Sequence, residues 1–344
     1  MNRIAAISVR QKRQSMFPCV VALLTLGAGP ALASGFQYLE IPGGADMPPI
    51  EAAVWYPSAA IVPDEPNTPF GQAVAMYAPV EGTDLPLVVI SHGDGGWFGG
   101  HAPLAEAMAK AGLIAVAFNH PGNSDGDETA PPSRWITERP RHLARVVDFM
   151  SRDWPDSAHV DPTRIGAFGF SAGGHTVLAA AGAKTSMDRI AAHCAATPAE
   201  FVCRSGMASD LVDAAGAFPK PLQGLQAVVA AAPGFGFGFD PAQVAGLDVA
   251  IQLWAAAEDT RVPQETNTDP LAAVLEAPSE ARVVEAAGHF AFRPPCNPAL
   301  GQANPRVWAM ACTDAPGFDR EDFQERFTRD VVEFLSENLG VAQR

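Results

Sequence analysis

Four short stretches of this chain carry the side chains that acyl transfer uses. In Gly169-Phe170-Ser171-Ala172-Gly173 a serine sits between glycines, where an alternating apolar run gives way to a run of small residues. A serine hydroxyl is a poor nucleophile until a base takes its proton. His289, just after the last apolar run, is the candidate base. An imidazole in that role needs a carboxylate to orient it and to stabilise its charge, and Glu258 and Asp259 stand side by side after the preceding apolar run. Asp259, the shorter and one residue deeper into the turn, is the expected partner, with Glu258 as the alternative. The stretch Ser91-His92-Gly93-Asp94-Gly95-Gly96-Trp97 has enough glycine to turn backbone N–H groups inward. The amides of Asp94 and Ala172 are the expected donors to a tetrahedral oxyanion. Trp97, Phe170 and Phe290 lie beside these residues in sequence and are the expected substrate contacts.

Such groups must be brought together by the elements between them. "LPLVVISHG", "LIAVAFNH" and "RIGAFGF" are apolar runs of strand length that end in glycine or polar residues, as strands buried on both faces do. Between them, Leu104, Ala107, Met108 and Ala111 share one helical stripe, and Leu143, Val146, Val147 and Met150 share another that starts near Pro140. That rhythm predicts an α/β fold: right-handed crossovers, a mostly parallel central sheet and helices on both faces. "LQAVVAAAPG", "DVAIQLWAAAED" and "ARVVEAAGHF" supply three more strands, and an amphipathic helix stopped at Gly340 closes the chain. Two runs between Gln37 and Pro57 predict an antiparallel edge hairpin. The insertion at about 182–221 is expected to sit over the sheet as a cap or loop. In open parallel sheets functional residues gather at the carboxyl ends of the strands. Ser171, Asp259 and His289 all fall there.

The other histidines have blander readings. His92 props the glycine-rich loop, His175 packs one turn into the helix after Ser171, and His101, His120, His142, His159 and His193 have no partner that the sequence names. "GFGFGF", Gly234–Phe239, lacks the Lys-Ser/Thr pair of a phosphate loop and reads as an apolar loop near the acyl pocket.

Residues 1–33 have a basic start at Arg3, Arg10, Lys12 and Arg13, an apolar run from Phe17 to Leu26 and a small-residue ending at Ala31-Leu32-Ala33. This reads as an export signal cut after Ala33, with 34–344 as one domain and no stable membrane anchor once it is removed. Its loss removes four positive charges and takes the formal net charge from −15 to −19. So acidic a surface argues against nucleic acid as a partner. Cys19 leaves with the signal, and the remaining cysteines form two local pairs, Cys194 with Cys203 and Cys296 with Cys312, expected as disulfides in an oxidising compartment. A metal site at His193, Cys194 and Cys203 lacks the short ligand spacing of such sites.

In "SHGDGG" (91–96), "NHPGN" (119–123), "GFSAGG" (169–174), "EDTRVP" (258–263), "AGHFAF" (287–292) and the cysteine-bearing insertion, the chain resembles the α/β-hydrolases. Within them it is similar to the secreted bacterial dienelactone hydrolase-like branch, related to plasma platelet-activating-factor acetylhydrolase and more distantly to bacterial cutinases. The resemblance implies an α/β-hydrolase fold, Ser171 as nucleophile, His289 as base, Asp259 as orienting acid and the Asp94 and Ala172 amides as oxyanion hole. Dienelactone hydrolases proper use a cysteine where this chain has Ser171, so that lactone is not implied as substrate. Members often carry an aspartate after an Arg-Pro pair, where this chain has His142 after Arg139-Pro140.

The sequence therefore predicts a periplasmic or secreted serine carboxylesterase acting on a small-molecule ester, with short acyl chains favoured and no metal or cofactor. Its activity is expected to rise with pH as His289 loses its proton. A cutinase-like polyester or lipid hydrolase is one alternative, marked by activity on insoluble substrate. A non-catalytic binding protein on the same scaffold is the other, marked by no turnover.

Overall fold

The computed structural model describes residues 32–44, 47–212 and 218–341. The expected export signal lies outside them apart from Leu32 and Ala33. Strands β1 (Ala33–Ile41), β2 (Ile50–Ser58), β3 (Ala75–Met76), β4 (Leu85–Ser91), β5 (Ile114–Phe118), β6 (Val160–Phe170), β7 (Leu225–Ala231), β8 (Ala250–Ala256) and β9 (Glu280–Val284) form one sheet in the order β3-β1-β2-β5-β4-β6-β7-β8-β9. From β5 to β9 every pairing is parallel. β1 and β2 form the expected antiparallel hairpin, from Ile41 opposite Ile50 to Ala33 opposite Ser58. The hairpin is not the edge, because β3 pairs outside β1 and β2 continues antiparallel onto β5. β2 is buried at all but one of its nine positions, which suits a strand with neighbours on both sides.

Alternation along the central strands divides the core into two layers. Val88 and Ile90 of β4, with Ala115, Phe168, Val229 and Trp254, pack beneath helix α1 (Ala102–Lys110) and the C-terminal helix Arg320–Asn338. Leu87 and Val89, with Val116, Ala167, Val228 and Leu253, pack against helices α2 (Pro132–Arg152) and α3 (Ala172–Ala181). Period-2 side chains are apolar on both faces because both faces are covered.

Helix α2 begins eight residues before the expected Pro140. Pro132 takes the first helical position, where a missing N–H costs nothing, and Pro140 is carried inside the helix. Buried Trp135 and Ile136 extend the apolar stripe backwards and explain the earlier start. The insertion is helical: α4 (Met187–Ala196), α5 (Phe201–Arg204) and α6 (Met207–Val212). Its Ile190, Val202, Ala208 and Leu211 make a third apolar cluster with Trp135, Ile136, Ala172, Phe235 and Phe237. Both expected disulfides are formed, Cys194–Cys203 and Cys296–Cys312. Among the described residues no helix is long and apolar enough to cross a membrane.

Candidate active site

The sheet order places the chemistry. β4 lies between β5 and β6, so the connection after β4 runs to one side, the connection after β5 crosses to the other, and a crevice opens at the carboxyl end of β4. Ser91, the last residue of β4, is paired with Gly169 of β6, which brings the glycine-rich loop beside Ser171. Ser171 has φ 57° and ψ −117°, a backbone conformation that side chains with a Cβ adopt only under strain. The residues two before and two after it must be glycine. A Cβ at Gly169 would lie 2.1 Å from the carbonyl oxygen of Gly173, and a Cβ at Gly173 would lie 2.0 Å from that of Ser91. Ser171 caps the start of α3, and its N–H is held by the Ala231 carbonyl at 2.9 Å.

Three side chains from separate strand ends meet in line. His289 Nε2 is 3.0 Å from Ser171 Oγ, and His289 Nδ1 is 2.7 Å from Asp259 Oδ2. Asp259 accepts at Oδ2, so Nδ1 carries the ring proton and Nε2 is free to accept from the serine hydroxyl. The other oxygen, Asp259 Oδ1, accepts from the main-chain N–H of Arg261 and of Val262, each at 2.8 Å. Glu258 is exposed, so the carboxylate that meets the histidine is Asp259.

The residues of two peptide planes, Gly93–Asp94 and Ser171–Ala172, line the same cavity. His92 Nε2 accepts from the N–H of His120 at 3.2 Å, which puts the ring proton on Nδ1, and Nδ1 donates to the Gly93 carbonyl at 2.7 Å. The N–H of Gly96 donates to the same carbonyl at 3.0 Å. In a trans peptide the N–H leaves the plane's opposite edge, so fixing the Gly93 carbonyl fixes the direction of the Asp94 N–H. The Ser171 carbonyl is likewise held, by the N–H of Gly234 at 2.9 Å and that of His175 at 3.2 Å, which fixes the Ala172 N–H.

A cavity of about 660 Å³ opens over Ser171 and His289. Trp97, Phe170 and Phe290 all line it, with Asp94 and Ala172. Phe170 is nearly buried, and its ring lies 4.9 Å from that of His289, so it supports the imidazole from the side. The cap contributes Phe201, Val202 and Met207 to the wall, and the loop closed by the second disulfide contributes Leu300, Val307 and Met310. Phe235 and Phe237 of the GFGFGF loop also line the cavity, as expected, while Phe239 is buried under His175.

Sequence reasoning missed the arginines. Arg261 stacks over Phe201 at 4.5 Å and over Phe290 at 5.2 Å, and its Nη2 meets Met310 Sδ at 2.9 Å. It thereby joins the cap, the histidine loop and the second disulfide loop. Arg293 also faces the cavity, and Arg139 is fully buried behind it. The hydrogen-bond partners of Arg139 and the ring and sulfur partners of Arg261 come from other elements of the chain, and no local pattern announces them.

Most histidines are structural. Burial first, then Arg139, holds His92 and His120 far below the ordinary imidazole range. Burial takes His101, His142 and His175 down to about 3. His120 meets Ser91 Oγ at 2.9 Å and His142 at 3.4 Å, and His175 meets Thr185 Oγ1 at 2.6 Å. His159 meets the Gly82 carbonyl at 2.5 Å. His193 does not share a metal with Cys194 and Cys203, which are bonded to each other; it meets Glu200 Oε2 at 3.0 Å. Among the described residues no cluster of three or more His, Cys, Asp or Glu could hold a metal ion.

No family model and no curated protein sequence matches this chain. Its backbone is similar to the solved structure of a ferulic acid esterase from Streptomyces cinnamoneus, with a TM-score of 0.59 and 16% sequence identity over 92% of this chain and 93% of that one. At that identity the likeness speaks for architecture, and it agrees with the strand order and crossovers: the chain has an α/β-hydrolase fold.

Proposed function

We propose that the chain is a serine carboxylesterase that works through an acyl-enzyme. The observation that carries this is the unbroken line from Asp259 Oδ2 through His289 to Ser171 Oγ, at 2.7 and 3.0 Å, on a strained turn that opens into a cavity. His289 Nε2 takes the hydroxyl proton as Ser171 Oγ attacks the ester carbonyl carbon. The carbonyl oxygen becomes an oxyanion between the Asp94 and Ala172 N–H groups, each such donor contributing on the order of 10²–10³ in rate. Collapse breaks the bond to the alcohol oxygen, which leaves with the proton from Nε2. Water then attacks the acyl-enzyme by the same steps, and the acid is released. Asp259, pinned by two amides, holds the ring and stabilises the imidazolium.

The wall of Trp97, Phe201, Phe235, Phe237 and Phe290 favours an uncharged aromatic group on one side of the ester, with a short acyl chain on the other. The two disulfides support export to the periplasm or beyond, in line with the signal read at residues 1–33. Hydrolysis of p-nitrophenyl acetate and butyrate by the oxidised protein and by Ser171→Ala tests the proposal. Turnover in the parent and a loss of at least about a thousandfold in the variant is the expected result. Equal, slow rates in both would overturn it and favour a binding protein.

A further inference from the structure

Arg139 is 1% exposed and lies in α2, behind the cavity. Among the described residues its hydrogen bonds go to four oxygens and no carboxylate. Nε donates to Thr176 Oγ1 at 3.1 Å, Nη1 to Asn123 Oδ1 at 2.5 Å, and Nη2 to Ser91 Oγ at 3.3 Å and to the His92 carbonyl. Each partner leads to one half of the oxyanion site. Ser91 and His92 begin the loop that carries the Asp94 amide. Asn123 Nδ2 donates onward to Asp94 Oδ1 at 2.7 Å. Thr176 Oγ1 donates to the Ala172 carbonyl at 2.8 Å, inside the first turn of α3.

We infer that Arg139 is a positioning residue for acyl transfer: its guanidinium ties the Asp94 loop to the first turn of α3 and so sets the gap in which the oxyanion is held. The inference rests on Ser171 being the nucleophile. Stability alone does not account for such a residue. A buried cation that hydrogen-bonds no carboxylate gives up its hydration, which the attraction of Asp94 beyond Asn123 offsets only in part, and an apolar side chain of similar volume would serve the core as well. What an apolar residue cannot do is hold four oxygens of three elements at fixed angles, which the planar fork of a guanidinium does and a lysine ammonium does not. Oxyanion donors act only at close range and correct aim, so a small widening of the gap costs rate rather than substrate binding.

The test is Arg139→Lys, which keeps the charge and loses the fork, measured beside the parent and Ser171→Ala. Three readouts are taken with p-nitrophenyl butyrate and inhibitors: kcat, KM, and the affinity of an aryl trifluoromethyl ketone relative to the matching methyl ketone. The fluorinated ketone forms a hemiketal oxyanion on the serine and reports the gap directly. The expected result is a kcat about 100-fold lower, KM within about threefold and trifluoromethyl ketone affinity lost in proportion to kcat, with the methyl ketone unchanged. A folded Arg139→Lys with kcat within about threefold of the parent overturns the inference, as does a loss confined to KM. If Arg139→Lys does not fold, Asn123→Ala decides. It removes one arm of the tie, and it should lower kcat about tenfold at constant KM, whereas an unchanged kcat overturns the inference. An active parent, a dead Ser171→Ala and an unimpaired Arg139→Lys would sink the role of Arg139 alone. Equal rates in parent and Ser171→Ala would sink the serine reading and Arg139 with it.

Discussion

The floor and the walls of the cavity are built on different principles. The floor consists of the ends of β4, β6 and β8 with the loop after β9, where the groups proposed to react are set by backbone geometry: a serine at positive φ, glycines with no room for a Cβ, and an aspartate gripped by two amides. The walls consist of helices only 4 to 10 residues long, α4 to α6 on one side and Ala299–Ala303 with Pro305–Ala311 on the other. Helices that short are marginal by themselves. Each wall is closed by a disulfide, with a sequence separation of 9 in the first and 16 in the second. The floor's precision comes from the sheet, and the walls' position from covalent ties and the Arg261 stack. Chemistry and selectivity should therefore respond to different damage.

The largest effect is expected on the floor. Asp259→Asn keeps the shape of the side chain but removes the charge that fixes the His289 tautomer. It should lower kcat by about 10³–10⁴-fold, while Glu258→Gln, at an exposed neighbour, should stay within about twofold. Steady-state kinetics of the two variants checks this. The reverse ranking would move the triad acid to Glu258 and remove the argument that the floor is set by backbone grip.

That pair of residues also marks where the sequence stopped being legible. The strands, the serine turn and the histidine could be read because apolar runs and strand ends are local patterns. Asp259 and Glu258 are adjacent, and only the turn reveals that the shorter carboxylate can accept from residues two and three ahead while reaching the imidazole. The start of α2 was misplaced because Pro140 obeys the rule for a first helical residue, as does Pro132, and burial of Trp135 decided between them. Arg139, Arg261 and Arg293 were illegible for a different reason. Their roles consist of contacts between elements, such as Arg139 with Ser91 across 48 positions, and composition treats them as surface charge.

Acid should strike the floor next. His92 and His101 line it and His120, His142 and His175 are buried nearby, all with imidazoles pushed below the ordinary value of 6.5, those of His101, His142 and His175 to about 3. Burial is the first cause in each, and the neighbouring charges that add to it are arginines and histidines. A folded-state value below the unfolded one means that the unfolded chain binds more protons in the interval between them. The stability contributed by keeping these rings neutral is thus complete above pH 6.5 and is lost as the pH falls toward 3. Each ring held neutral in this way contributes a slope of at most about 1.4 kcal/mol per pH unit between its two values. Against a typical stability of about 5–15 kcal/mol, a few such rings are enough to unfold the protein as the pH falls from 6.5 toward 3. Circular dichroism between pH 8 and 3 measures the midpoint, and a protein still folded below about pH 3.5 would refute the account.

The smallest effect, and the one that most sharpens the contrast, belongs to the first disulfide. Replacing Cys194 and Cys203 together by serine leaves Ser171, His289 and Asp259 with all their contacts. It frees α5, which carries Phe201 and Val202 into the cavity and lends Phe201 to the Arg261 stack. The loss of stability should be about 3 kcal/mol or less, since the loop is short. If the walls only position substrate, KM for p-nitrophenyl butyrate should rise about tenfold while kcat for it and for the non-aromatic ethyl acetate stays within about threefold, because the reacting geometry never depended on the cap. Equal losses in kcat for both esters would mean that the cap helps assemble the reacting groups, and the division between a sheet-built floor and stapled walls would fail at its most informative point.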